Sequence, residues 1–305
     1  DMIVAASLCF GLASMAETLQ VPYRFITFAP QLIPSGYHPF PAFRHQRLPQ
    51  WCNWAGWRLV KAMDRLNLTR LVNAHRRKMG LMPVRDFLAH ILGSRVIVAS
   101  DAAIAAVPPD IETEFIQTGY MHLNLPEQKL PELEEYLAAG KRPIYAGFGS
   151  MPPRDQARQV PLIVNAARSA GRRVVISRFW KEPQTKEYGD DVFFIHKCPH
   201  RQLFPKMAVI VHHGGAGTTA TAAISGVPQV VVPHILDQYY WGERIRRSGL
   251  GPPPVWRSKL TAAKLGRAIL TCTEKRTYRQ KARLVGREIR RGNGVQQTMQ
   301  AILRS

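Results

Sequence analysis

Long hydrophobic runs are missing from this chain. No uninterrupted apolar stretch approaches the ~20 residues that a membrane-spanning helix requires. The segment Met2–Ala16 is apolar and rich in small residues, but Asp1 rather than a basic segment precedes it. Glu17 follows within the same helical pattern, which argues against a secretory leader. Cysteine is scarce as well. Cys9, Cys52, Cys198 and Cys272 lie far apart and form no C-x-x-C pair, so a disulfide scaffold is excluded. They read as reduced, mostly buried thiols of a cytoplasmic chain. Acidic residues are in short supply: 21 Asp and Glu stand against 42 Lys and Arg, a net charge of +21. That balance favours anionic partners, meaning nucleic acid, a phosphate-bearing ligand or an acidic membrane surface, and says nothing about fold. There is no internal repeat and no low-complexity tract, and 46% hydrophobic residues exclude disorder.

What is present is a chain of 305 residues, enough for two ordinary domains or one large α/β domain. The first part opens with a short strand at Met2 and a small-residue helix over Phe10–Leu19. A strand follows over Arg24–Phe28, then a loop from Ala29 to Gln50 carrying five prolines. A loop of that length is usually functional or disordered. Helical spacing of Trp51, Trp54, Trp57, Val60 and Met63 predicts one helix from Trp51 to Met79, with Arg58, Lys61 and Arg65 on another stripe. Strands are expected at Ser94–Ser100 and Phe115–Tyr120. The polar segment 126–140 reads as a linker between a first domain, 1–125, and a second, 141–305. In the second, Val/Ile-rich runs at Pro143–Phe148, Arg173–Ser177, Val192–Ile195, Ala208–His212 and Gln229–Pro233 alternate with helical segments. Such runs indicate a parallel sheet covered on both faces.

The strongest chemical signal is Val209-Ile-Val-His-His-Gly-Gly-Ala-Gly-Thr-Thr-Ala220. A buried strand enters a glycine-rich turn that opens a helix. Amide groups near Gly217 and Thr218, reinforced by the helix dipole, suit a phosphate or diphosphate. Gly215-Ala-Gly217-x-x-Ala220 also fits a dinucleotide fingerprint, with Asp237 about twenty residues on. That reading implies an oxidoreductase. Against it, the fingerprint follows the fourth strand of its half rather than the first. Asp237-Gln238 is expected in a loop past a strand end, where adjacent carboxylate and carboxamide suit vicinal sugar hydroxyls.

The runs His212–Thr219, Gly226-Val-Pro228, Pro233, Asp237-Gln238, Trp241-Gly242 and Gly249-x-Gly251-Pro resemble the donor-site signature of GT-B nucleotide-sugar glycosyltransferases. The similar branch contains the sterol glucosyltransferases and the macrolide and glycopeptide glycosyltransferases. Phe148-Gly-Ser150-Met, Ile176-Ser-x-x-Trp180, Pro199-His-x-x-Leu-Phe-Pro205 and Asn73-x-x-Arg76 with Gly80-Leu-x-Pro83 agree with it. The resemblance implies an α/β fold of two Rossmann-like domains facing a cleft, the first incomplete at its start. It implies inverting transfer of a hexose, glucose foremost, from a UDP-sugar to a hydroxyl of a lipophilic acceptor such as a sterol, lipid or polyketide.

The same resemblance implies residue roles. His213 contacts the diphosphate and stabilises the leaving group, with Gly215, Gly217 and Thr218 around it. Ser150 reaches the β-phosphate side. Trp180, Cys198 and Pro199 line the base pocket, and Asp237 and Gln238 hold the sugar. Thr221 stands where plant-type relatives place an acid on the ribose. No cofactor and no metal are implied, since the UDP-sugar is a co-substrate. The acceptor base belongs to an early loop that these residues do not contain, and an auxiliary Asp is absent at Ala5-Ala-Ser-Leu. A catalytically inactive nucleotide-sugar-binding remnant is therefore a further alternative.

Three patterns have plainer explanations. His196, Cys198, His200, His212 and His213 could suggest zinc, but paired ligand spacing is lacking. The tryptophan stripe is a core-facing helix edge. Its functional alternative puts Trp51 and Trp54 in an acceptor cleft or on an anionic membrane surface beside Arg58, Lys61 and Arg65, making the protein peripheral to the membrane. The basic run Lys275–Arg291 is a solvated helix face. Without aromatic interleaving it is no nucleic-acid site.

Overall fold

The computed structural model describes residues 1–7, 9–149, 156–177, 188–196 and 198–304. Two compact units emerge, one of residues 1–121 and 293–305, the other of residues 122–292.

The first unit holds four parallel strands in sequential order: β1 (Ile3–Ala6), β2 (Tyr23–Thr27), β3 (Arg95–Val98) and β4 (Glu114–Gln117). Alternation along the central strands buries both faces. Phe25, Val96 and Val98 pack with Trp57, Phe87 and Ile91 on one side. Ile26 and Ile97 pack with Ala301 on the other. Ala301 belongs to the helix Gly294–Leu303, so the chain returns from the second unit to cover this face of the first. A bond between the Thr118 and Thr298 hydroxyls (2.7 Å) fixes that return.

Several elements differ from the sequence expectation. The helix expected over 51–79 is two helices, Gln50–Leu66 and Leu68–Lys78. They meet at Asn67, which has left helical geometry (φ −113°, ψ −85°) and whose side chain donates to the Met63 carbonyl at 3.0 Å. Asparagine competes with the helical ladder in this way. The proline-rich loop is built, not loose. Gln31 Nε2 donates to the Pro39 carbonyl and to Gln46 Oε1, both at 3.0 Å. Asp110 accepts from the Ser35 hydroxyl at 2.6 Å and from the Gly36 amide at 2.7 Å. Of the four thiols, Cys272 alone is buried; Cys9 is exposed.

The described residues of the second unit form five parallel strands: β5 (Ile144–Gly147), β6 (Val174–Ser177), β7 (Val192–Ile195), β8 (Ile210–His212) and β9 (Gln229–Val231). Their order, β7-β6-β5-β8-β9, reverses direction between β5 and β8. In open α/β sheets a ligand site forms beyond the strand ends at such a switch point. One sheet face packs Ala146, Ile176, Val211 and Val230 against the helices Gln156–Ser169 and Ala262–Glu274. The other packs Tyr145, Val175 and Ile210 against Leu203, Phe204 and Leu133. Leu133 lies on the helix Pro131–Ala138, inside the segment 126–140 expected to be a linker. Its buried apolar side chain ties that segment to the second unit. The unit boundaries therefore fall at 121/122 and 292/293 rather than at 125/126 and 140/141.

Candidate functional site

The loops after β5, β8 and β9 build the site at the switch point. β8 ends at His212, which is fully buried. Its Nε2 bonds Gln229 Oε1 at 2.8 Å, and its Nδ1 accepts the Gly214 amide at 3.1 Å. An acceptor on one nitrogen and a donor on the other require the neutral ring. Burial agrees, pushing the His212 pKa down to about 3. His212 therefore shapes the turn rather than meeting a ligand. Gly214 occupies the left-handed region (φ +94°), and a Cβ there would lie 2.7 Å from Val231 Cγ1.

His213 points the other way and is half-buried. Its ring is held between two glycines. A Cβ on Gly149, after β5, would approach His213 Cε1 to 2.6 Å, and one on Gly215 would approach Nε2 to 2.5 Å. Only glycine leaves the imidazole this place. His213 Nδ1 is buried without a hydrogen-bond partner among the described residues, and burial lowers the ring's pKa. The helix Ala216–Ile224 begins next, with Gly215 as N-cap and no side-chain cap. The amides of its first turn, at Gly217 and Thr218 among others, thus have neither intrahelical nor capping partners. Gly215, Gly217, Thr218 and His213, the residues expected around a diphosphate, sit together at the start of this helix. Thr221 turns its hydroxyl back to the Gly217 carbonyl at 2.8 Å.

Beyond β9, Asp237 is not in a loop. It opens the helix Asp237–Arg247, whose N-cap Leu236 has a positive φ of 50°. A leucine held there is strained, and such strain collects at ligand sites. Burial raises the Asp237 pKa, and the Trp241 indole partly offsets this. Gln238 is buried, and its Oε1 accepts the His234 amide at 2.8 Å and the Ile235 amide at 3.1 Å. The carboxamide expected to hold a sugar thus shapes the loop through its oxygen, leaving its nitrogen as donor.

Sequence reasoning missed His234. Its ring lies 5.4 Å from that of Phe148, and both its nitrogens are buried without partners among the described residues. Burial, then the Arg257 and His213 charges, press its pKa to about 4. The only sequence signal was its place between Pro233 and Asp237.

The end of β6 and the segment after β7 line a cavity of about 610 Å³, walled by Ser177, Ile195, Cys198, Pro199 and His200 with residues 125–128. Cys198 and Pro199, expected to line a base pocket, both border this cavity. His200 Nε2 meets the Tyr145 hydroxyl at 3.1 Å, and burial takes its pKa to about 4. His212 and His200 are thus engaged with Gln229 and Tyr145, and no cluster of three metal-ligating side chains exists among the described residues. Ser150 and Trp180 lie outside the described residues. Of the tryptophans, Trp57 is core (1% exposed), whereas Trp51 is 73% exposed; Trp54 is half-buried.

Residues 163–293 match the family described as erythromycin biosynthesis protein CIII-like, C-terminal domain. The chain is 35% identical over 243 residues to a vancomycin aglycone glucosyltransferase of Amycolatopsis orientalis, covering 79% of this chain and 59% of that protein. It is 32% identical over 279 residues to a sterol 3-beta-glucosyltransferase of Arabidopsis thaliana, covering 88% and 44%. It thus spans about three fifths of the first relative's length and under half of the second's. Among solved structures, it superposes on the glycosyltransferase VinC in complex with dTDP with TM-score 0.71 at 21% identity, covering 99% of this chain and 71% of that one. The glycotransferase of kitacinnamycin gives TM-score 0.72 at 17% identity, covering 99% and 75%. These likenesses establish the GT-B fold expected from the sequence.

Proposed function

We propose that this chain, which has the GT-B fold and matches the EryCIII-like C-terminal domain over residues 163–293, transfers a hexose from a UDP-sugar to a hydroxyl of a lipophilic acceptor. The observation that carries the reading is the His213 ring seated between Gly149 and Gly215 above the uncapped start of the helix Ala216–Ile224. Direct displacement at the anomeric carbon inverts it and leaves a nucleoside diphosphate. Stabilising that departing charge is the donor unit's share of the work. The helix amides supply donors already in place, and His213, neutral when buried alone, takes up a proton as the diphosphate arrives. The nucleobase occupies the cavity beside Cys198 and Pro199, and Asp237 with the Gln238 amide nitrogen takes the hexose hydroxyls. The acceptor-side base has no assigned residue in this chain.

The glucosyltransferase names of the vancomycin and sterol relatives support glucose, and VinC with dTDP supports a pyrimidine nucleoside diphosphate. Calorimetric titration with UDP, UDP-glucose, dTDP and NAD tests the reading. Binding of UDP and UDP-glucose without NAD is the expected result. In Asp237→Ala, UDP-glucose weakens about tenfold or more while UDP holds, because a hydrogen bond to a charged group is worth about 1.5–3 kcal/mol. Tight NAD binding, or equal losses for UDP and UDP-glucose, would return Asp237 to a dinucleotide ribose and sink the proposal.

A further inference from the structure

The helix Gln50–Leu66 is apolar on two faces. One faces inward, through buried Trp57 and half-buried Val60. The other faces water. Trp51, Ala55, Leu59, Ala62 and Leu66 follow one another at steps of three and four residues, so they form a single stripe. Met63 lies beside it, 55% exposed, and Leu66 is 76% exposed. The surface continues onto the helix Leu68–Lys78 with exposed Leu71, and past it to Met82, 78% exposed.

Cations border this surface. Arg58, Lys61 and Arg65 line one flank of the stripe, and Arg70, Arg77 and Lys78 are exposed on the second helix. The single acid in residues 50–82 is half-buried Asp64, its pKa raised by burial and then by Asp86. Of the six, only Lys61 has a carboxylate neighbour among the described residues, Asp86 at 3.0 Å. A surface helix normally turns its apolar stripe to the core. This one carries a second stripe outward, framed by exposed cations.

We propose that this face of the first unit docks on an anionic lipid bilayer. The helix Gln50–Leu66 lies in the interface plane, with Trp51, Leu59, Met63 and Leu66 entering the acyl boundary and Arg58, Lys61 and Arg65 meeting headgroup phosphates. The apolar centre of the face has no counterpart on a nucleic acid. A second copy of the chain would set six exposed cations against six others with no exposed carboxylate in this segment to relieve them. The inference deepens the lipophilic-acceptor reading but rests on no donor-site residue, so the two fail separately.

Flotation of the purified protein with vesicles provides the test. One set is phosphatidylcholine alone, the other phosphatidylcholine with phosphatidylserine, each over a salt series. Binding is expected to the anionic set only and to fall as salt screens the headgroups. Tryptophan emission is expected to be quenched by lipids brominated in the acyl chain. Arg58→Gln with Arg65→Gln is expected to weaken partitioning about twenty-five-fold, at about fivefold for each cation near the surface. Leu59→Asp with Leu66→Asp is expected to abolish it while leaving the UDP affinity and the unfolding midpoint unchanged. Should that variant fail to fold, Leu59→Ser with Leu66→Ser gives the same comparison. No binding to anionic vesicles at low salt, equal binding to neutral ones, or full binding by folded variants would each overturn the proposal.

Discussion

Gly215→Ala isolates the seat of His213 better than removal of the histidine does. Gly215 has φ −64° and ψ 146°, a conformation any residue adopts, so alanine brings no backbone strain. Its Cβ would stand 2.5 Å from His213 Nε2, about 1 Å inside ordinary contact. The nearest obstacle is the far end of a side chain, so the ring shifts and the turn stays. Alanine is a poorer N-cap than glycine, which costs about 1 kcal/mol of stability or less. The displaced imidazole loses the proposed bond to the diphosphate, worth about 1.5–3 kcal/mol for a charged partner. UDP should therefore bind about tenfold to a hundredfold more weakly by calorimetry. In the His213→Ala background the same alanine has no ring to displace, so it should add almost nothing, and the double-mutant cycle should show strong coupling. Parent-like affinity in Gly215→Ala, or an undiminished loss in the His213→Ala background, would refute the seat.

Other predictions concern stability. His212, His200 and His234 have native pKa values pressed by burial to about 3, about 4 and about 4, below the ordinary 6.5. Below pH 6.5 the unfolded chain takes up protons that the native state refuses. Stability should be complete above that pH and fall as pH drops toward 4, at up to about 1.4 kcal/mol per pH unit for each histidine. A flat denaturant midpoint between pH 7 and about 4.5 would contradict these assignments. Trp57→Ala should cost about 3–5 kcal/mol as a core truncation, whereas Trp51→Ala should stay within about 0.5 kcal/mol; urea unfolding of the two variants compares them directly.

The second unit was legible because its signals are local. Val209–Val211 and Val230–Val232 are apolar without alternation, which only a sheet covered on both faces explains. The glycines at 214, 215 and 217 mark the turn by type alone. What escaped depends on partners far along the chain. Nothing near Gln238 announces that its oxygen serves two backbone amides of the preceding loop. The orientation of the tryptophan stripe hinged on which face of one helix meets Phe25 and Phe87. Periodicity gives the angle between Trp51 and Trp57 and not which of them is inside. Asn67 broke a continuous helical pattern through a side-chain bond that propensity only weakly foretells. His234 carried no motif at all; its significance lies in the Phe148 ring, 86 positions earlier in the chain.

The return of residues 293–305 to the first unit has a consequence for biosynthesis. A ribosome delivers the second unit's last strand and helices before it delivers the helix Gly294–Leu303. Until those residues emerge, the sheet face formed by Ile26, Ile97 and Ala99 lacks its cover. The unit begun first is therefore finished last, and the later-begun unit can settle while its predecessor waits. Nascent chains stalled at Gly292 should expose that face to chaperones and proteases, and release of another dozen residues should close it.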